Sequence, residues 1–171
     1  MGNTSNSLAS ENASPNPSNA TPSMETINPI PNVTTQVETR PSSNTDGAIT
    51  ASIRANTTYG QSIVKYTGTG SNTTVGHGLD AAPTLVIGKS DTNGYGWYVY
   101  HHEIDGGVTH VLEMNADYAS GAQTNKYQGQ APTSTVVNLG NHGTNYSSAK
   151  QLLYCFHEVT GYSKFGSYTG T

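Results

Sequence analysis

The feature that most constrains this chain is a compositional break. No aromatic residue precedes Tyr59, and all eleven tyrosines, Trp97, Phe156 and Phe165 follow it. Residues 1–58 are filled with Ser, Asn and Thr and hold Pro15, Pro17, Pro22, Pro29, Pro31 and Pro41 of the chain's 8 prolines. Such a stretch cannot bury enough apolar surface to offset the entropy of ordering it. The reading is therefore a long extended arm over residues 1–58 and a folded domain over 59–171, roughly 110 residues, enough for one β-domain.

Charge is sparse, with 7 Lys plus Arg against 11 Asp plus Glu and no basic run. That argues against nucleic acid as a partner, because phosphate contacts need clustered cations. The first residues show neither a basic start nor an apolar stretch, so neither a signal peptide nor a membrane span is expected. The lone Cys155 sits in the apolar run Leu152-Leu153-Tyr154-Cys155-Phe156 and reads as a small buried hydrophobe. Asn-x-Ser/Thr triplets such as Asn72 and Asn145 are what a composition this rich in Asn, Ser and Thr yields by chance.

Beyond the arm, short β-branched and aromatic runs alternate with Gly, Asn, Asp or Pro clusters. Strands are expected at 62–66, 84–88, 96–101, 109–114, 135–139, 150–159 and 163–168. Asp91-Thr92-Asn93-Gly94 and Asp105-Gly106-Gly107 supply turn chemistry, and the runs 96–101 and 109–114 are expected to pair antiparallel. Seven strands without a helical period describe an all-β fold, a single antiparallel β-sandwich or jelly roll. Within 96–101, Trp97, Val99 and His101 face one side, Tyr98, Tyr100 and His102 the other, and both sides are bulky. Trp97 and Phe156 are expected in the core.

No reactive constellation emerges. His101-His102-Glu103, His77, His110, His142 and His157-Glu158 could in principle ligate a metal, yet adjacent strand residues point to opposite faces. His77 between Gly76 and Gly78 reads as a turn histidine, and the carboxylates are scattered. Neither a nucleophile elbow nor a phosphate-binding loop occurs. Expectations are accordingly no enzyme, no cofactor and no metal.

Ile63-Val64-Lys65-Tyr66-Thr67-Gly68-Thr69 is echoed by Phe165-Gly166-Ser167-Tyr168-Thr169-Gly170-Thr171. Together with Val75-Gly76-His77-Gly78-Leu79, Ala82-Pro83, Ala131-Pro132-Thr133-Ser134, Asn138-Leu139-Gly140 and Tyr154-Cys155-Phe156, this order of elements resembles a domain found, often in tandem, in tail-fibre and other structural proteins of marine and environmental phages. The resemblance covers about Gln61 to Thr171. It implies a concanavalin-like sandwich used for binding or scaffolding, without catalytic residues. The chain departs from that pattern in showing one copy, and in carrying Lys126-Tyr127-Gln128 where many such domains have a Trp-Asn pair.

The resulting expectation is a phage virion structural protein, assembled in the host cytoplasm. The leading form is a capsid decoration or cement protein strapped to the major capsid protein by its arm. The alternative is a tail-fibre or receptor-binding component whose sandwich binds host glycan. Fully extended at about 3.3 Å per residue, the arm would reach on the order of 190 Å. Met24, Ile27, Ile30, Val33 and Val37 are its expected anchors. A homo-oligomer is expected, with Tyr98 and Tyr100 at the subunit contact because tyrosines exceed what one core needs. Neither nucleic acid nor membrane is expected as a partner.

Overall fold

Alternation of apolar and polar side chains builds one dominant sheet. In this computed structural model, which describes residues 41–170 apart from 93, 105, 106 and 118, ten strands form two antiparallel sheets. The larger sheet comprises β1 (Ser42–Asn44), β2 (Ala51–Asn56), β3 (Gln61–Thr67), β5 (Leu85–Ser90), β6 (Tyr98–His101), β7 (His110–Glu113), β8 (Gly121–Ala122) and β10 (Lys150–Phe156). Their order is β1-β2-β3-β10-β5-β6-β7-β8. The smaller sheet pairs β4 (Thr73–Gly76) with β9 (Val136–Leu139), and a single helical turn, α1 (Thr124–Tyr127), precedes β9. This is the expected all-β sandwich.

Register sorts the side chains into two faces. On the inner face Ile53, Val64, Leu153 and Gly88 lie in one cross-strand row, and Ser62, Cys155, Val86 and Tyr100 in another. Val75, Val137, Leu139 and Tyr127 complete the same core cluster from the smaller sheet and α1. Buried tyrosines need partners for their hydroxyls. Tyr66 Oη donates to the Thr144 carbonyl at 2.5 Å and Tyr127 Oη to the Tyr98 carbonyl at 2.9 Å.

Two of the quoted glycines are steric necessities. A methyl at Gly140 would overlap the Asn125 carbonyl and the Lys126 nitrogen of α1, and one at Gly68 would overlap the Tyr146 carbonyl. The motifs Asn138-Leu139-Gly140 and Tyr66-Thr67-Gly68 therefore mark places where two backbones touch.

Several expectations are corrected. Residues 42–44 and 51–56, assigned to the arm, are strands β1 and β2. Ala-Ser-Ile-Arg-Ala alternates, burying Ala51 and Ile53. Met24, Ile27, Ile30, Val33 and Val37 lie outside the described residues. The run 163–168 is no strand: after an isolated bridge between Val159 and Ser163 the backbone is irregular, and Phe165 packs on Phe156 with ring centroids 6.0 Å apart.

Trp97 is exposed rather than in the core, since its parity puts it on the outer face with Val99 and His101. Tyr98 and Tyr100, expected at a subunit contact, are 5% and 4% exposed within the domain's own core. Their parity aims them at Lys126 and Tyr127, whose rings and stem occupy the space a partner would need. Phe156 is half-buried on the outer face beneath Phe165. Truncation of a half-buried ring removes about half the contacts of a core one, so Phe156→Ala is expected to cost about 1–2 kcal/mol. A denaturant titration showing 3 kcal/mol or more, on the order of a full core deletion, would contradict this placement.

Candidate functional site

The outer face of the large sheet is the surface on which chemistry of recognition concentrates. Following the ladders from β2 to β7, Arg54, Ile63, Tyr154, Ile87, Val99 and Leu112 form one continuous row. Beside it run Ser52, Lys65, Leu152 and Lys89, continued by Trp97 and Met114, which are joined through the Met114 N–H and the Trp97 carbonyl. Ile63 is 47% exposed, Leu112 39% and Met114 63%. An apolar row across five strands, β3 to β7, exposed at Ile63 and Leu112 and buried at Val99, is unusual on an outer sheet face and marks a contact face.

Charge on this face is one-sided. Arg54, Lys65, Lys89 and Lys150 all stand on it, whereas no Asp or Glu takes an outward position in these six strands. Lys89 is anchored, donating from Nζ to the Tyr95 carbonyl at 2.8 Å and lying 5.9 Å from the centroid of the Trp97 ring. An acidic chain thus presents a cationic, apolar face.

The C-terminal segment closes one end of that face. Glu103 accepts from the Ser167 N–H at 2.9 Å and from its hydroxyl at 3.1 Å, which holds the Glu103 carboxyl below its usual pKa. The Phe165 N–H donates to Glu158 at 3.1 Å, and His102 Nε2 lies 3.0 Å from the Phe165 carbonyl. Residues 163–167, echoing β3 in sequence, are thereby folded back on their own domain.

The histidines do not converge. His77 is fully buried: its Nδ1 accepts from the Leu79 N–H at 3.1 Å, so Nε2 carries the proton that it offers the Thr133 carbonyl at 3.2 Å. Burial lowers its pKa, consistent with a neutral turn histidine. His101 and His102 do come close, with ring centroids 5.0 Å apart, because His102 lies past the end of β6 and escapes strand alternation. Burial, and then His102, lower the His101 pKa. His110 contacts Thr109 Oγ1 at 3.2 Å. His157 faces Asp80 at 3.2 Å with Nε2, an ion-pair distance without hydrogen-bond alignment. Among the described residues no group of three or more His, Cys, Asp or Glu is placed to hold a metal ion. Burial pushes the Cys155 thiol up to about 12, leaving it protonated and unreactive.

One cluster escaped the sequence reading. Lys126 is 4% exposed, its Nζ 4.1 Å from the Tyr98 ring centroid and 2.8 Å from His142 Nδ1. Burial lowers its pKa. His142 packs edge-on against Tyr146, which stacks on Tyr95 at 4.0 Å. Next to it, Gln128 donates to the Thr73 and Leu139 carbonyls at 2.7 and 2.8 Å. Lys126-Tyr127-Gln128 is the segment that stands where a Trp-Asn pair was the sequence expectation. The departure was visible, but only the fold shows that all three side chains are spent on joining α1 to both sheets.

What fold and surface together define is an antiparallel β-sandwich domain. By sequence the chain belongs to the family described as Domain of unknown function (DUF7483), whose pattern matches residues 35–171. No curated protein and no solved structure matches the chain.

Proposed function

We propose that this protein is a bacteriophage virion structural protein, a capsid decoration or cement protein that holds the shell through its N-terminal arm and its outer sheet face. The observation that carries the reading is the apolar stripe of Ile63, Ile87, Tyr154 and Leu112, flanked by cations, with no Asp or Glu facing outward from its strands. An apolar centre with a charged rim is the anatomy of a protein contact. The sequence resemblance to phage structural domains supplies the particle, and residues 1–40, poor in core-forming side chains, supply the strap. The second reading, a tail-fibre component that binds host glycan, is favoured by the exposed Trp97 beside Lys89, since an exposed indole next to a polar group suits sugar stacking.

Quantitative densitometry of purified virions separates the two. A cement protein is expected in numbers comparable to the shell's lattice positions, a fibre component in far fewer copies. Replacing Ile63 and Leu112 with Glu should leave the fold intact, both being on the outer face, and abolish rebinding to stripped particles. A variant that rebinds as well as the parent would overturn the assignment of this face.

A further inference from the structure

At the corner of the large sheet where β1, β2, β3 and β10 meet, the surface dips into a hollow of about 430 Å3. We infer that this hollow binds an acidic oligosaccharide, a sugar chain bearing carboxylate or sulfate groups.

Five serine and threonine residues line it, among them Ser43, Thr50 and Thr67, together with Lys65 and Lys150. Among the described residues no carboxylate does. Lys65 pairs with Leu152 and Lys150 with Thr67, so the two lysines are diagonal neighbours on adjacent strands, about 7–8 Å apart. Among the described residues neither ammonium has a hydrogen bond or ion pair. Two cations held side by side without a counter-charge repel each other, and an anion between them relieves that repulsion.

The lining distinguishes the ligand class. Hydroxyls both donate and accept, as sugar hydroxyls do, so the pairing is reciprocal. Lysine is a point charge that tolerates either carboxylate or sulfate geometry. A lone phosphate is small for the space, which is in the range of roughly 300–1,000 Å3 typical of ligand sites. An acidic peptide would bring apolar side chains, and of the lining only Pro41 and Ala51 are non-aromatic apolar residues. Nucleic acid needs many more cations than two. The inference stands whether the domain sits on a capsid or a fibre.

The test uses the full chain and titration calorimetry at low salt. The probes are an oligogalacturonate, a sulfated heparin-type oligosaccharide, an uncharged malto-oligosaccharide, inorganic phosphate and a polyglutamate peptide. At least one charged oligosaccharide should bind, the neutral one should not, and added salt should weaken binding. The double variant Lys65→Gln, Lys150→Gln, both side chains exposed and away from the core, should lose about tenfold or more. Thr50→Val should weaken the oligosaccharide and leave any polyglutamate binding unchanged. Thermal melting of each variant, expected to match the parent, assigns the loss to the site. Absence of binding by both charged oligosaccharides, equal affinity for phosphate or polyglutamate, or unaltered binding by the double variant would each overturn the inference.

Discussion

Removal of residues 1–58 is expected to abolish cooperative folding, while removal of residues 1–34 leaves it intact. The longer deletion takes β1 and β2 away from β3, to which β2 is paired at five positions from Ser52–Lys65 to Asn56–Gln61. It also removes Ile49, Ala51 and Ile53, each 9% exposed or less and part of the core cluster. Fully burying an isoleucine side chain contributes about 1.5–3 kcal/mol and a methyl about 0.8, so the three together represent about 4–7 kcal/mol. Whole domains are stable by only about 5–15 kcal/mol.

Two further losses add to this. Ile49 bridges to Val75, with its N–H on the Thr74 carbonyl at 3.0 Å, so the small sheet loses a tie to the large one. The stripped β3 becomes an unpaired edge, a template for aggregation. The shorter deletion stops at the start of the family match and touches neither strand. Circular dichroism melts of both truncations would decide it, and a sharp, native-like transition in the chain lacking residues 1–58 would refute the role given to β1 and β2.

That boundary shows where sequence reasoning stopped and why. Strands β3, β5, β6, β7, β9 and β10 were legible because each carries β-branched or aromatic residues in a run bounded by turn formers. β2 alternates just as cleanly, yet its Ala51, Ile53 and Ala55 are small or aliphatic and sit in a tract dominated by Ser, Asn and Thr, so a window-wide average hid it. β4, Thr-Thr-Val-Gly, holds a single large apolar residue, and β8 is two residues long, so neither forms a recognisable run.

The candidate face was less legible still. Arg54, Lys65, Lys89 and Lys150 are scattered over nearly a hundred positions, and only the register of four strands brings them to one side. Trp97 and Phe156 were misplaced for a related reason. A large aromatic in an apolar run signals burial, but parity decides which face receives it, and parity is set by pairing. The excess of tyrosines, read as interface, is partly consumed by the core itself: Tyr66, Tyr98, Tyr100 and Tyr127 are all buried in it.

Tyr127 carries the second large prediction. It is 2% exposed, meets Tyr100 edge-on at 6.3 Å, and donates its hydroxyl to the Tyr98 carbonyl at 2.9 Å. Tyr127→Ala empties a fully buried ring position in the core and removes that hydrogen bond, so it is expected to cost about 3–5 kcal/mol. Tyr127→Phe keeps the ring and loses only the hydrogen bond, at about 1–2 kcal/mol.

The same burial fixes a pH dependence. Desolvation raises the folded-state pKa of Tyr127 and of Tyr66 well above the ordinary value of 10.0. In the unfolded chain both phenols ionise near that value, so above it the folded state binds more protons than the unfolded one and stability falls as pH rises. Below it both states are neutral and these groups contribute no slope. Urea titrations from about pH 8 to about pH 11, roughly two units below to one unit above the ordinary tyrosine value, should therefore show a flat region followed by a decline. The decline should be shallower in Tyr127→Phe, which has one such phenol fewer. An equal alkaline slope in parent and variant would show that Tyr127 ionises freely in the folded domain, which its burial against Tyr100 and Gly88 forbids.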